Sequence, residues 1–127
     1  TSSSGLFPEG TFLISKPSGT AVLASAVTIP TLTVNASNTL DLAGFALTVS
    51  GTLTNNGTIV ATGAGTPITA GTLTSTSATS LIRYPGNAAD GAVTVKGGTY
   101  GALTLDNPGT ATASFTPASD LNISPAG

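Results

Sequence analysis

The chain contains no cysteine, histidine, methionine or tryptophan. Without cysteine and histidine it cannot build a disulfide framework, a zinc or haem site of the common kinds, or a Cys-His or Ser-His-Asp nucleophilic arrangement. Long hydrophobic runs are also missing, because proline and glycine interrupt every stretch before the roughly 20 residues that a membrane-spanning helix needs. The sequence therefore predicts no metal, no cofactor and no membrane span.

Charged residues are equally scarce, and the formal net charge is −2. The charged residues are Glu9, Lys16, Asp41, Arg83, Asp90, Lys96, Asp106 and Asp120. No basic patch is available to hold a phosphate backbone, so we expect no nucleic-acid partner. Polysaccharide-cleaving β-helices use clustered acids or a basic residue beside aromatic platforms. Here the acids are scattered and only Tyr84 and Tyr100 could act as platforms, which predicts that the chain is not an enzyme.

Small residues dominate the composition instead. Gly, Ala, Ser and Thr occupy 72 of the 127 positions, yet 39% of all residues are hydrophobic, which favours an ordered chain over a disordered one. The recurring unit is a quartet in which apolar and small polar residues alternate, as in 31–34 (TLTV), 52–55 (TLTN), 72–75 (TLTS) and 92–95 (AVTV). Such alternation is typical of a β-strand with one buried side.

The apolar residues of these quartets recur at a nearly constant spacing. One series runs through Leu32, Leu53, Leu73, Val93 and Ala113, and a second runs through Leu40, Ile59, Leu81, Leu103 and Leu121. In both series the step from one member to the next is about 20 residues, a length typical of one unit in a stacked repeat array. Gly and Asn between the quartets suit sharp corners.

This spacing predicts the fold class. We predict an all-β parallel β-helix, or β-solenoid, of about five coils, each of roughly 20 residues. An antiparallel β-sandwich is the alternative, because its turns have similar spacing.

Two segments carry a resemblance to known repeats. Residues 38–62 (NTLDLAGFALTVSGTLTNNGTIVAT) resemble the β-helical repeats of bacterial surface and secreted proteins of the filamentous-haemagglutinin and autotransporter-adhesin type. Residues 98–123 (GTYGALTLDNPGTATASFTPASDLNI) are similar to another repeat of large bacterial envelope proteins. The resemblance implies a secreted or cell-surface location and a structural or adhesive role, with no catalytic residues to carry over.

We divide the chain into an N-terminal cap or docking segment, residues 1–30, and a solenoid body, residues 31–127. The end of a β-helix exposes a coil of unpaired backbone groups, which is a template for another chain unless it is covered. A contact that does not close into a ring gives a filament. We therefore expect a subunit that assembles with itself, head to tail, into an extracellular fibre. The candidate contact residues are Phe12, Leu13, Ile14, Val22, Leu23, Leu121 and Ile123.

Two other functions remain open. One is a passive β-helical stalk of a cell-surface adhesin, for which cell-surface or matrix glycans are the expected partners. The other is ice binding by a Thr-x-Thr ladder, which resembles the ice-binding face of β-solenoid antifreeze proteins. The ladder candidates are Thr31, Thr33, Thr52, Thr54, Thr72 and Thr74. Asn35, Asn56 and Asn122 lie in N-glycosylation sequons and are candidate sugar attachment sites in a host that glycosylates secreted proteins.

Overall fold

A computed structural model describes residues 5–6, 11–17, 19–86, 91–107 and 112–124 of the chain. In this part the regular structure consists of β-strands, and no helix occurs. The strands, in chain order, are β1 (Gly5–Leu6), β2 (Thr11–Ile14), β3 (Thr20–Val22), β4 (Val27–Ile29), β5 (Thr31–Val34), β6 (Thr39–Asp41), β7 (Leu47–Asn55), β8 (Thr58–Val60), β9 (Ile68–Ser75), β10 (Leu81–Pro85), β11 (Ala92–Val95), β12 (Gly98–Tyr100), β13 (Leu103–Asp106), β14 (Ser114–Pro117) and β15 (Leu121–Ile123).

Every described strand pair is parallel. In the eight-stranded sheet the strands stack in two adjacent columns, which are joined because the long strands β7 and β9 belong to both. The first column starts with β1 and β4. The second column starts with β2 and β5 and ends with β12 and β15. A five-stranded sheet stacks β3, β6, β8, β10 and β13. Strands β11 and β14 form a short third sheet. The chain is thus a parallel β-solenoid of about five turns, which confirms the predicted fold and shows that the antiparallel sandwich alternative was wrong.

The alternating quartets place their apolar residues in stacks along the solenoid interior. Leu47 pairs in register with Ile68, and Leu32 pairs with Leu53. All four side chains are at most 1% exposed. A fully buried Leu or Ile side chain contributes about 1.5–3 kcal/mol relative to an exposed one. The interior stacks therefore supply the main stabilising term of the fold.

The first predicted apolar series is correct only over its first three members. Leu53 pairs with both Leu32 and Leu73, but Leu73 then lies next to Gly98 rather than Val93. Val93 belongs to the two-stranded sheet, where it pairs with Phe115 instead of Ala113. The quartet 92–95 therefore lies in a different column from the quartet 72–75.

The second series is correct for Leu40 and Ile59, which pair in register, and then fails. Ile59 pairs with Ile82 rather than with the predicted Leu81, since Leu81 lies opposite Thr58. The last member, Leu121, pairs with Gly98 in the second column of the eight-stranded sheet. A shift of one residue in the pairing register exchanges the inward and outward sides of a strand. A series inferred from spacing alone can therefore assign an outward residue to the interior.

Residues 1–30 contain strands β1 to β4, which pair with later strands of the same ladders. Strand β2, for example, adds to β5 through four residue pairs, with Phe12 opposite Leu32. The proposed role of this segment as a cap or as a docking element stays a prediction. Glu9 and Asp90, two of the charged residues singled out in the sequence, fall outside the described residues.

The buried polar residues of the described chain are Asn38, Asn55, Ser75 and Ser80. Asn55 is fully buried, and its Nδ2 donates to Ser75 Oγ at 3.2 Å and to the Leu81 carbonyl at 3.0 Å. Its Oδ1 accepts from the Gly57 backbone N–H at 3.2 Å. These hydrogen bonds connect the corner after β7 to the coil above it.

Candidate functional site

One end of the solenoid holds an open apolar pocket of about 450 Å³. Its walls include Phe12, Ile14 and Leu23, which are half-buried and pack against the core. No described strand lies beyond β2 or β3 in their ladders, so no described strand covers Ile14 and Leu23 on the outer side. Leu13 and Val22 lie on the outside of the same coil and are 53% and 57% exposed.

The opposite end is formed by β13, β14 and β15. Leu105 and Ile123 pair with Tyr84 and Tyr100, which are fully buried, yet the two terminal residues are 41% and 55% exposed. Their inward-facing side chains are exposed because no described strand stacks over them. Leu121 on β15 is half-buried against the core. This end therefore also presents an incompletely covered apolar core.

Among the described strands, none pairs with the outer edge of β15, which is therefore unused. The Ser124 N–H donates to the Tyr100 carbonyl at 2.8 Å, and the Asp120 carbonyl accepts from the Gly98 N–H at 3.0 Å. Main-chain groups of successive strand residues point to alternate sides, so those of Leu121 and Ile123 point away from β12. The seven predicted contact residues thus lie at the two ends of the described solenoid, five at one and two at the other.

The predicted threonine ladder lies on the outside of the second column. Thr33 pairs with Thr54, and Thr54 pairs with Thr74. Leu32 pairs with Leu53, so the residues that precede them, Thr31 and Thr52, lie at neighbouring positions. Thr52 in turn pairs with Thr72. The structure therefore brings all six candidates together on three adjacent coils. Spacing did not reveal that Thr11 extends one row and Thr99 the other.

Among the described strands, charged residues occur on those of the five-stranded sheet and not on those of the threonine ladder. Arg83 Nη2 contacts Asp106 Oδ2 at 2.9 Å on the outside of this sheet. Asp41 lies on β6 of the same sheet, where its Oδ1 accepts from the Ala43 N–H at 2.8 Å. The hydrogen bond to Asp106 and the negative charge of its carboxylate raise the pKa of Arg83 above its ordinary value, so the guanidinium stays ionised.

Tyr84 and Tyr100, considered above as sugar platforms, are instead fully buried. The Lys96 N–H donates to Tyr84 Oη at 3.1 Å, and the Tyr100 hydroxyl donates to the Lys96 carbonyl. Burial raises the pKa of both phenols, and for Tyr100 the nearby Tyr84 raises it further. Neither ring is available as a flat platform for a sugar, and both serve as core residues.

The three sequon asparagines occupy different environments. Asn35 and Asn56 are half-buried at the corner after β5 and the corner after β7, whereas Asn122 is exposed on β15. Their glycosylation stays a prediction. Among the described asparagines, the buried ones are Asn38 and Asn55, which are not in sequons.

Within the described ranges, no group of three or more acidic, histidine or cysteine residues is placed to hold a metal ion. The same part of the chain has no helix long and apolar enough to cross a membrane.

The fold and these surfaces define a parallel β-solenoid in which the described strands leave apolar core residues exposed at each end, with an uncharged threonine ladder on one side. No protein-family model matches the chain, no curated protein is significantly similar to it in sequence, and no solved structure matches it significantly.

Proposed function

We propose that this chain is a non-catalytic structural protein, a secreted β-solenoid subunit that associates head to tail into a filament at the cell surface. The observation that carries the proposal is the exposure of inward-facing apolar side chains at both ends, exemplified by Ile123 and Leu105 on one side and by the open pocket lined by Ile14 and Leu23 on the other. Equivalent positions in the inner coils are buried.

Stacking of a second molecule along the solenoid axis covers the exposed apolar core and pairs the unpaired backbone edge of an open end. It removes apolar surface from water, at about 25 cal/mol per Å², and it pairs an edge whose backbone groups point outward. About ten new hydrogen bonds at about 1 kcal/mol net each are comparable with the roughly 4–15 kcal/mol that association costs. The two ends differ in sequence, so the contact is heterologous. Stacking along the solenoid axis places each added copy in line with the last, which extends the array instead of closing it into a ring.

The test is assembly as a function of concentration. Purified protein at neutral pH should show rising light scattering and long thin threads in negative stain. Ile123→Lys, which places a charge at the exposed end of the core, should abolish the threads. Ile123→Pro should do the same, because it removes a backbone donor on the unused edge while leaving the Ser124 hydrogen bond in place.

Phe45→Lys is the matched control, since Phe45 is also a large exposed side chain but lies between β6 and β7, away from both ends. This variant should still form threads. Uniform monomers at every concentration, or equal loss of assembly in Phe45→Lys and Ile123→Lys, would overturn the proposal.

A stalk within a cell-surface adhesin is the second candidate. The same end surfaces favour it, because further coils of a longer chain would cover them as well as a second molecule does. Light scattering distinguishes the two functions. A stalk stays monomeric once its adjoining coils are present, whereas a filament subunit assembles without any adjoining coils.

A further inference from the structure

The threonine ladder is an ordered array of hydroxyl groups. Its six central members form two rows across β5, β7 and β9, with Thr31, Thr52 and Thr72 in one row and Thr33, Thr54 and Thr74 in the other. Among the described residues, none of these hydroxyls has a hydrogen-bond partner in the protein. These hydroxyls are therefore able to hydrogen-bond to a ligand, and the backbone ladder beneath them fixes the positions of the residues that carry them.

The array is rigid as well as regular. The backbone of β7 is paired on both sides, with β5 and with β9, so the positions of its threonines cannot shift independently. Threonine is β-branched and holds few χ1 rotamers. A ligand that matches the array meets a surface that is already organised, and it loses little affinity to the ordering of side chains.

The spacing matches crystalline water along the solenoid axis. In tetrahedral water with hydrogen bonds of about 2.75 Å, two molecules bonded to the same neighbour are about 4.5 Å apart. Neighbouring strands hold equivalent hydroxyls about 4.8 Å apart. The mismatch is about 0.3 Å per coil and accumulates to about 0.6 Å over the three coils, which is small beside one hydrogen-bond length.

The composition of the surface selects against other ligands. Charged side chains keep tightly held water, and the described ladder strands β5, β7 and β9 carry none. The same strands contain no aromatic side chain on which a sugar ring could stack. Charge is instead found on the five-stranded sheet, in Asp41, Arg83 and Asp106.

We propose that the face formed by these six threonines binds ice, with the hydroxyl rows occupying oxygen positions of the lattice at the crystal surface. A third row, Thr28, Thr48 and Thr69, lies in register on the adjoining column of the same sheet and extends the hydroxyl surface beyond the bulge in β7. This activity is independent of end-to-end assembly.

The experiment measures partition of the purified protein into a slowly growing ice surface, together with thermal hysteresis. The unmodified protein should enter the ice and depress its growth temperature below the melting point. Thr54→Tyr, at the centre of the array between Thr33 and Thr74, should lose both effects because the ring projects above the hydroxyl plane.

Thr58→Tyr is the matched control. Thr58 is half-buried like Thr54 and lies in the same coil, but on the five-stranded sheet. This variant should partition into ice like the unmodified protein. Circular dichroism melts establish that both variants are folded, and the measurement on the unmodified protein needs no variant at all.

Exclusion of the unmodified protein from ice, with no thermal hysteresis, would overturn the proposal. Equal loss in Thr54→Tyr and Thr58→Tyr would also overturn it, because the binding would then not depend on the threonine face. Retained activity in a non-assembling Ile123→Lys variant would separate ice binding from filament formation and support the assignment to the side of the solenoid.

Discussion

Asn55→Leu is the substitution whose consequence follows most directly from the structure. Leucine is close to asparagine in size and suits the interior, so a purely apolar account of the core predicts a neutral or stabilising change. The structure predicts the opposite. The substitution removes the bonds from Asn55 to Ser75 Oγ and to the Leu81 carbonyl, and it leaves the Gly57 N–H at a buried corner without its acceptor.

The expected cost is about 2–4 kcal/mol, because each lost hydrogen bond contributes about 0.5–1.5 kcal/mol and an orphaned buried donor costs about 1–3 kcal/mol. For a domain of this size such a loss lowers the melting temperature by about 10 °C. The measurement is urea and thermal unfolding followed by circular dichroism, with agreement between the two as the check for two-state behaviour.

Asn56→Leu is the control, since Asn56 is adjacent and half-buried and its side chain has no hydrogen-bond partner among the described residues. Its stability should stay within about 0.5 kcal/mol of the unmodified protein. Asn55→Asp provides a pH signature. The buried carboxyl should have a raised pKa, so the variant should be more stable at about pH 4 than at about pH 7 relative to the unmodified protein. Equal stability of Asn55→Leu and Asn56→Leu would refute the reasoning.

Two further predictions follow from the interior. Gly57→Ala should destabilise the fold by about 1–3 kcal/mol, because a Cβ there meets the backbone carbonyl oxygens of Asn38 and Asn35, which cannot move aside; an unchanged urea midpoint would contradict this. The raised pKa values of Tyr84 and Tyr100 predict alkaline unfolding. Above about pH 10 the unfolded state releases the phenolic protons while the folded state keeps them, so stability falls with pH by up to about 1.4 kcal/mol per unit for each tyrosine. Tyrosinate absorbance should therefore appear together with loss of the circular dichroism signal, and titration of both phenols in the folded protein would contradict the burial.

The solenoid could be predicted from the sequence because its interior obeys a simple alternation over regular coils. Leu32, Leu53 and Leu73 follow this rule, and they stack as expected. The later coils could not be predicted, since their corners differ in length and the average period does not say where the extra residue lies. The one-residue error at Leu81 and Ile82 is of this kind.

The candidate surfaces were predictable to different degrees. The rows of Thr31, Thr33 and their partners follow from the same alternation that places leucines inside, so their register could be read from spacing. The buried tyrosine pair was missed, although Tyr84 stands two residues after Ile82 and so shares its inward side. Ile123 was predicted as a contact residue because it lies in the last coil, but the extent of its exposure depends on what stacks above that coil and not on the residues within it.

The parallel ladders also determine how the molecule bears load. Each backbone hydrogen bond between coils points along the solenoid axis, and each coil is held mainly by the coils directly above and below it. A pull applied to the two chain ends would peel one coil at a time from the stack, whereas a pull across the axis would load a whole row of bonds at once. The resistance of such a rod to force is therefore strongly directional, low for unravelling from its tip and high for shearing across its width.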